Sequence, residues 1–205
     1  MKKTIALDAD GVLLDYNLAY ARAWQRAFGE HPDLVNPNAY WAKDRWGVPW
    51  LDGEALAQFR AQFDSEFWSS IPAIDGAVDA CMQLHAAGFR LVVVSALPQE
   101  HEQDRWANLL GHGFPVEQVI ATPGASGHAG PSPKAHALSL LNPVAFVDDF
   151  LPYLRGVPRA GTHVALVTRE SEGSPNQGPE MVLADSIHTD LRDFAQWWLS
   201  GNAPA

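Results

Sequence analysis

Two aspartates one residue apart, Asp8 and Asp10, end a short apolar run from Thr4 to Leu7, and Gly11 follows them. Further along stand Ser95 after Leu91–Val94, Lys134 after a loop rich in glycine, proline and serine, and the adjacent Asp148 and Asp149 after Val144–Val147. Neighbouring carboxylates repel, and the arrangement persists mainly where a cation or a shared proton relieves it. One carboxylate of such a pair can act as a nucleophile while the other moves a proton. A hydroxyl and an ammonium suit an anion, and further carboxylates suit a hard cation. Each residue also has a plainer role: an acidic turn, a strand-end hydroxyl, a solvated lysine, a helix-capping pair. Side chains alternate along a strand, so Asp8 and Asp10 are expected on one side of the chain.

Those residues need a scaffold that brings them together. Asp15 is placed to cap a helix running to about Phe28 and ending at Gly29, with Leu18, Ala21, Trp24 and Phe28 as its apolar face. Residues 30–50 are rich in proline and aromatics without strand period. A second helical stretch from Glu54 to about Trp68 carries Leu56, Phe59, Phe63 and Phe67 on one face. From Asp75 the chain alternates regularly. Helices are expected at 76–87, 98–110, 134–141, 151–157 and 189–199, and strands at 90–95, 118–121, 144–147, 163–167 and 181–184. Thr122–Pro133 reads as a long loop. Strands separated by helices imply a parallel α/β sheet, Rossmann-like, with helices on both faces. The four polar sites then lie at or near the carboxyl edge of that sheet, where ligands bind. The division expected is a core of residues 1–15 and 74–205 with a small, mainly helical cap of residues 16–73 inserted after the first strand. His85, His136 and His188 have no metal spacing and read as helix-surface or capping residues.

The chain has 205 residues, 47% of them hydrophobic, enough for a full core. It carries 24 acidic against 14 basic residues, a formal charge of −10. That balance argues against a nucleic acid polymer or an anionic membrane as partner. The single cysteine, Cys81, permits no internal disulfide and reads as a small buried group. The opening apolar run is too short for a signal peptide or a membrane span, so a cytoplasmic location is expected.

Taken together, the chain resembles the haloacid dehalogenase (HAD) superfamily hydrolases, in its phosphatase branch with a helical cap. All four of that superfamily's motifs stand in order: Asp8-Ala9-Asp10-Gly11-Val12, Val93-Val94-Ser95, Pro133-Lys134 and Val147-Asp148-Asp149. The resemblance implies an aspartyl-phosphate mechanism. Asp8 attacks phosphorus; Asp10 protonates the departing oxygen and then takes a proton from water. Ser95, the backbone N–H of Ala96 and Lys134 hold the phosphoryl group. Mg²⁺ is implied as cofactor, held by Asp8, the Asp10 backbone carbonyl and Asp148, with Asp149 in its outer shell. The family's dehalogenases lack the second acid, because halide leaves without a proton, so Asp10 favours phosphoesters.

The expected substrate is a small phosphorylated metabolite. The aromatic cap residues Tyr40, Trp41, Trp46, Trp50, Phe67 and Trp68 read mostly as that unit's own core, with a stacking surface for a flat substrate as the alternative. Trp41, Lys43, Arg45 and Trp46 are candidate substrate contacts. A weaker resemblance to the deoxyribonucleotidase branch covers Phe67–Gly76, Ser95–Pro98 with the helix bearing Trp106, and Val119–Pro123. It implies a nucleotide, whereas the Pro133-Lys134 segment departs from that branch. Two further readings stand beside the phosphatase: a phosphomutase or phosphotransferase of the same superfamily, and a catalytically silent binding module. Oligomeric state is not legible.

Overall fold

The computed structural model describes residues 2–124 and 130–202. Residues 125–129, within the loop expected at Thr122–Pro133, lie outside the described residues. Six strands form one parallel sheet: β1 (Thr4–Leu7), β2 (Arg90–Ala96), β3 (Val116–Thr122), β4 (Ala145–Asp148), β5 (His163–Val167) and β6 (Ser186–His188). Their order is β3-β2-β1-β4-β5-β6. The chain winds one way from β1 to β3, returns to pair β4 with β1, and winds the other way to β6. The switch point therefore lies between β1 and β4, where Leu7 is in register with Val147.

Alternation along the strands builds two apolar layers. Ile5, Leu7, Leu91, Val93, Val147 and Val167 face one side, under α5 (Ala77–Ala86), α6 (Glu102–Gly111) and α8 (Leu191–Trp197). Ala6, Val92, Val94, Phe146 and Val164 face the other, with Leu138 of α7 (Lys134–Leu141) and the 3₁₀ turn Leu151–Leu154. The inner strands β1, β2, β4 and β5 are buried on both faces, hence their unbroken apolar runs.

Four helices lie between β1 and α5: α1 (Tyr16–Phe28), α2 (Ala42–Arg45), α3 (Gly53–Arg60) and α4 (Ser65–Ser69). Asp15 caps α1 by accepting from the Leu18 N–H at 3.0 Å, and Gly29 ends it in the left-handed conformation. Its buried stripe is Ala19, Ala21, Ala23 and Ala27, while Leu18 is exposed. The single helix expected from Glu54 to Trp68 is two, because Asp64 caps a new one by accepting from the Phe67 N–H. The buried cluster continues from the sheet into these helices through Ala19, Ala23, Phe59, Phe67 and Trp68.

The last strand differs from expectation. Residues 179–183 form a 3₁₀ turn begun at Pro179, and Val182 is exposed despite its apolar character. Asp185 then binds the start of β5 twice: its N–H donates to the Val164 carbonyl, and its carboxylate accepts from the Val164 N–H. Pairing can start only after it, at Ser186. The segment expected as a helix at 151–157 is one 3₁₀ turn. No described helix is long and apolar enough to cross a membrane.

His188 is buried at the end of β6 rather than on a helix surface. Its Nε2 and that of His163 both lie 2.8 Å from the Ser186 hydroxyl, which one ring can donate to and the other accept from while both are neutral. Burial lowers the pKa of both rings, outweighing Asp185 beside His163 and Asp193 beside His188. A depressed histidine stabilises the fold fully above its ordinary value, and that contribution is lost as pH falls through the depressed one. The gap in thermal midpoint between wild type and His188→Gln should therefore shrink between about pH 7.5 and about pH 5.5.

Candidate active site

The carboxyl ends of β1, β2 and β4 meet at the switch point. The Asp8 N–H donates to the Val147 carbonyl at 2.8 Å, which sets Asp8 beside Asp148. Both lie on the α7 side of the sheet. Lys134, the first residue of α7, is fully buried there. Its ammonium is 2.8 Å from an Asp8 oxygen and 2.7 Å from Asp148 Oδ2. Burial works against that ammonium, but Asp148 and Asp8 outweigh it and raise its pKa. The second Asp148 oxygen accepts from the Phe150 N–H. Ser95 is fully buried near the end of β2, and its hydroxyl has no partner among the described residues.

Asp10 departs from the expected geometry. β1 ends at Leu7, so strand alternation does not extend to Asp10, which lies in a turn bridged to Leu14. Asp8 engages Lys134, whereas Asp10 engages Arg105 of α6, 2.8 Å away on the opposite side of the sheet. Burial raises the pKa of Asp10, with Arg105 opposing and Asp8 reinforcing. Burial likewise raises Asp149, with Asp148 and Asp8 adding to it. It also raises Asp148, against the pull of Lys134. Gly11 adopts φ +83°, and the Asp149 carboxylate occupies the space a Cβ there would need.

An open cavity of about 1060 Å³ lies over these residues. Asp8, Asp10, Ala96 and Asp149 form its polar floor, and Tyr40, Trp41, Trp50, Trp68, Phe150 and Tyr153 contribute an aromatic wall. The segment carrying Tyr40 and Trp41 is tied to the loop after β5. Tyr40 N–H donates to the Glu172 carbonyl at 3.0 Å, Asn36 donates to the Glu172 carboxylate at 2.8 Å, and Arg45 lies 3.6 Å from Glu170.

A family model for haloacid dehalogenase-like hydrolases matches residues 2–161. The chain belongs to that family. Among solved structures it resembles a HAD family hydrolase from Deinococcus radiodurans R1 with bound phosphate and sodium, at TM-score 0.60 and 18% identity, covering 100% of this chain and 99% of that one. A predicted phosphoglycolate phosphatase from Haemophilus somnus 129pt aligns at TM-score 0.58 and 18% identity, covering 95% and 97%. An L-2-haloacid dehalogenase from Xanthobacter autotrophicus aligns at TM-score 0.57 and 16% identity, covering 98% and 99%. At such identities these likenesses concern the fold. No curated protein matches the chain.

HAD hydrolases generally use a divalent metal, and the acidic residues here fit one. Asp8, Asp148 and Asp149 present oxygens within 4.8 Å of one another. Two buried cations, Lys134 and Arg105, face four carboxylates, Asp8, Asp10, Asp148 and Asp149. The surplus negative charge is what a hard dication would neutralise.

The four cap residues named as substrate contacts separate. Trp41 and Lys43 line the cavity, with the Lys43 ammonium 5.0 Å from the Trp50 ring centroid. Trp46 is instead buried under α1, its indole N–H donating to the Asn17 carbonyl at 2.8 Å. Arg45 is turned away, donating to the Pro37 carbonyl at 2.7 Å. An indole fills core volume and an arginine satisfies local carbonyls as readily as either meets substrate. Sequence reasoning missed Arg105, although a signal existed: it shares one helix face with Asn108 and Leu109, the i+3 and i+4 positions. Phe150 and Tyr153 were missed as cavity wall, because only the turn after β4 swings them over the floor.

Gly11→Ala should destabilise the fold by roughly 1–3 kcal/mol, from a left-handed backbone and a displaced Asp149, measurable by urea unfolding. An unchanged unfolding midpoint would mean that neither the left-handed backbone at Gly11 nor its contact with Asp149 constrains the turn.

Proposed function

We propose that the chain is a phosphomonoesterase acting on a small phosphorylated metabolite through an aspartyl-phosphate intermediate, with residues 16–73 serving as the cap. The observation that carries this reading is Asp10. It places beside Asp8 a second carboxyl whose protonated form burial favours. Displacing halide needs no proton, whereas expelling an alkoxide does.

The residues divide the work as follows. An Asp8 oxygen attacks phosphorus while the bond from phosphorus to the leaving oxygen breaks. Asp10 gives its proton to that oxygen and later takes one from the water that cleaves the acyl phosphate, returning Asp8 as carboxylate. The unpartnered Ser95 hydroxyl and the Ala96 N–H suit phosphoryl oxygens, and Lys134 supplies positive charge behind Asp8. Mg²⁺ would be held by Asp8, Asp148 and the Asp10 carbonyl, with Asp149 alongside, and would neutralise phosphoryl and carboxylate charge there. The aromatic wall suits a leaving group with an apolar or flat surface. The formal charge of −10 disfavours a nucleic acid polymer or an anionic membrane as partner.

Phosphate release from p-nitrophenyl phosphate, nucleotides and sugar phosphates tests the reading. Turnover should require Mg²⁺, stop with EDTA, and fall by at least about three orders of magnitude in Asp8→Asn. Turnover of 2-haloacids in place of phosphate esters would overturn it.

A further inference from the structure

Arg105 is among the least usual side chains in the molecule. It is fully buried, yet only one of its nitrogens has a partner: Nη2 donates to Asp10 Oδ2 at 2.8 Å. Its Nε and Nη1 have none among the described residues. Its guanidinium carbon lies 5.2 Å from the centroid of the Trp68 ring, a cation–π contact. Burying an arginine with unmet donors is costly, and a hydrophobic side chain of similar volume would often serve stability as well. Stability therefore does not account for it.

The geometry around Asp10 does. One carboxyl oxygen is held by Arg105, while Oδ1 is buried without a partner among the described residues, so the Arg105 contact is the hydrogen bond that sets the carboxyl's orientation. Asp10 lines the cavity and Arg105 does not, so the arginine stands behind the acid rather than against substrate. Trp68, which packs on Arg105, also lines the cavity. We propose that Arg105 is a positioning residue for Asp10. Its grip on Oδ2 fixes the orientation of the carboxyl that lines the cavity, from which the proton goes to the oxygen of the leaving group. The inference rests on the proton-transfer role proposed for Asp10. Arg105 itself exchanges no proton and forms no bond to substrate.

A carboxyl that must deliver a proton matters most when the leaving group is poor. The test compares kcat/KM for p-nitrophenyl phosphate and for an alkyl phosphate in wild type, Asp10→Asn, Arg105→Met, Arg105→Lys and the Asp10→Asn/Arg105→Met double variant. Thermal midpoints are recorded throughout. In Arg105→Met the alkyl ester should lose on the order of 10²-fold more than the aryl ester, in kcat with KM little changed. Arg105→Lys, which keeps the charge, should recover part of that selectivity. In the Asp10→Asn background Arg105→Met should add no further selectivity.

Equal losses on both esters in Arg105→Met would make Arg105 merely structural and overturn the inference. So would a selectivity loss that persists in full without the Asp10 acid. Should Arg105→Met fail to fold, Arg105→Lys decides: a larger loss on the alkyl than on the aryl ester, absent in the Asp10→Asn background, supports positioning, and an unchanged ratio of the two esters overturns it. A wild type that releases phosphate and loses it in Asp10→Asn, with unaltered ester ratio in Arg105→Met, refutes the positioning role alone. A wild type that hydrolyses neither ester removes the phosphomonoesterase reading and this inference with it.

Discussion

The buried ammonium of Lys134, set between Asp8 and Asp148, is the interaction on which the rest of the site depends. Parallel strands with Leu7 opposite Val147 force the two carboxylates side by side at the switch point. Away from water such a pair is strongly repulsive unless a cation meets it. The cation comes from α7, whose first residue is delivered to the same face of the sheet. Removing one partner of such a buried group typically costs about 3–5 kcal/mol, because the remaining charge is left uncompensated. Fold and site are thus constrained by the same few atoms.

A second cation, Arg105, holds Asp10 from the opposite side of the sheet. The two aspartates of the first turn are therefore managed separately, one from α7 and one from α6. This separation lets neighbouring carboxyls differ in environment. Asp8 sits against an ammonium, while Asp10 sits in a buried turn with one oxygen unengaged.

The insertion after β1 does two structural jobs with one set of aromatics. Phe59, Phe67 and Trp68 continue the apolar layer of the sheet, and Phe59 and Trp68 also line the cavity together with Tyr40, Trp41 and Trp50. Trp50 is 85% exposed, a large apolar surface at the rim of a polar-floored cavity. The loop after β5 reaches across to the same segment through Glu170 and Glu172, so the cavity wall is fastened at both ends.

The sequence by itself determined the local elements and the order of the polar turns. Unbroken apolar runs announced β2, β4 and β5, since buried parallel strands have no polar face. Asp15 and Gly29 bounded α1 because capping is a local hydrogen-bonding requirement. The short last strand was misplaced, because an apolar run such as Met181–Ala184 carries no local mark of the Asp185 contacts that begin the pairing. The divergence of Asp8 and Asp10 was likewise invisible, because it depends on where β1 stops. Which aromatics are core and which are cavity, and that Arg105 faces inward to Asp10, only the tertiary structure decided. Residue type and spacing describe what a side chain can do, but its partner is set by packing between segments as far apart as β1 and α6.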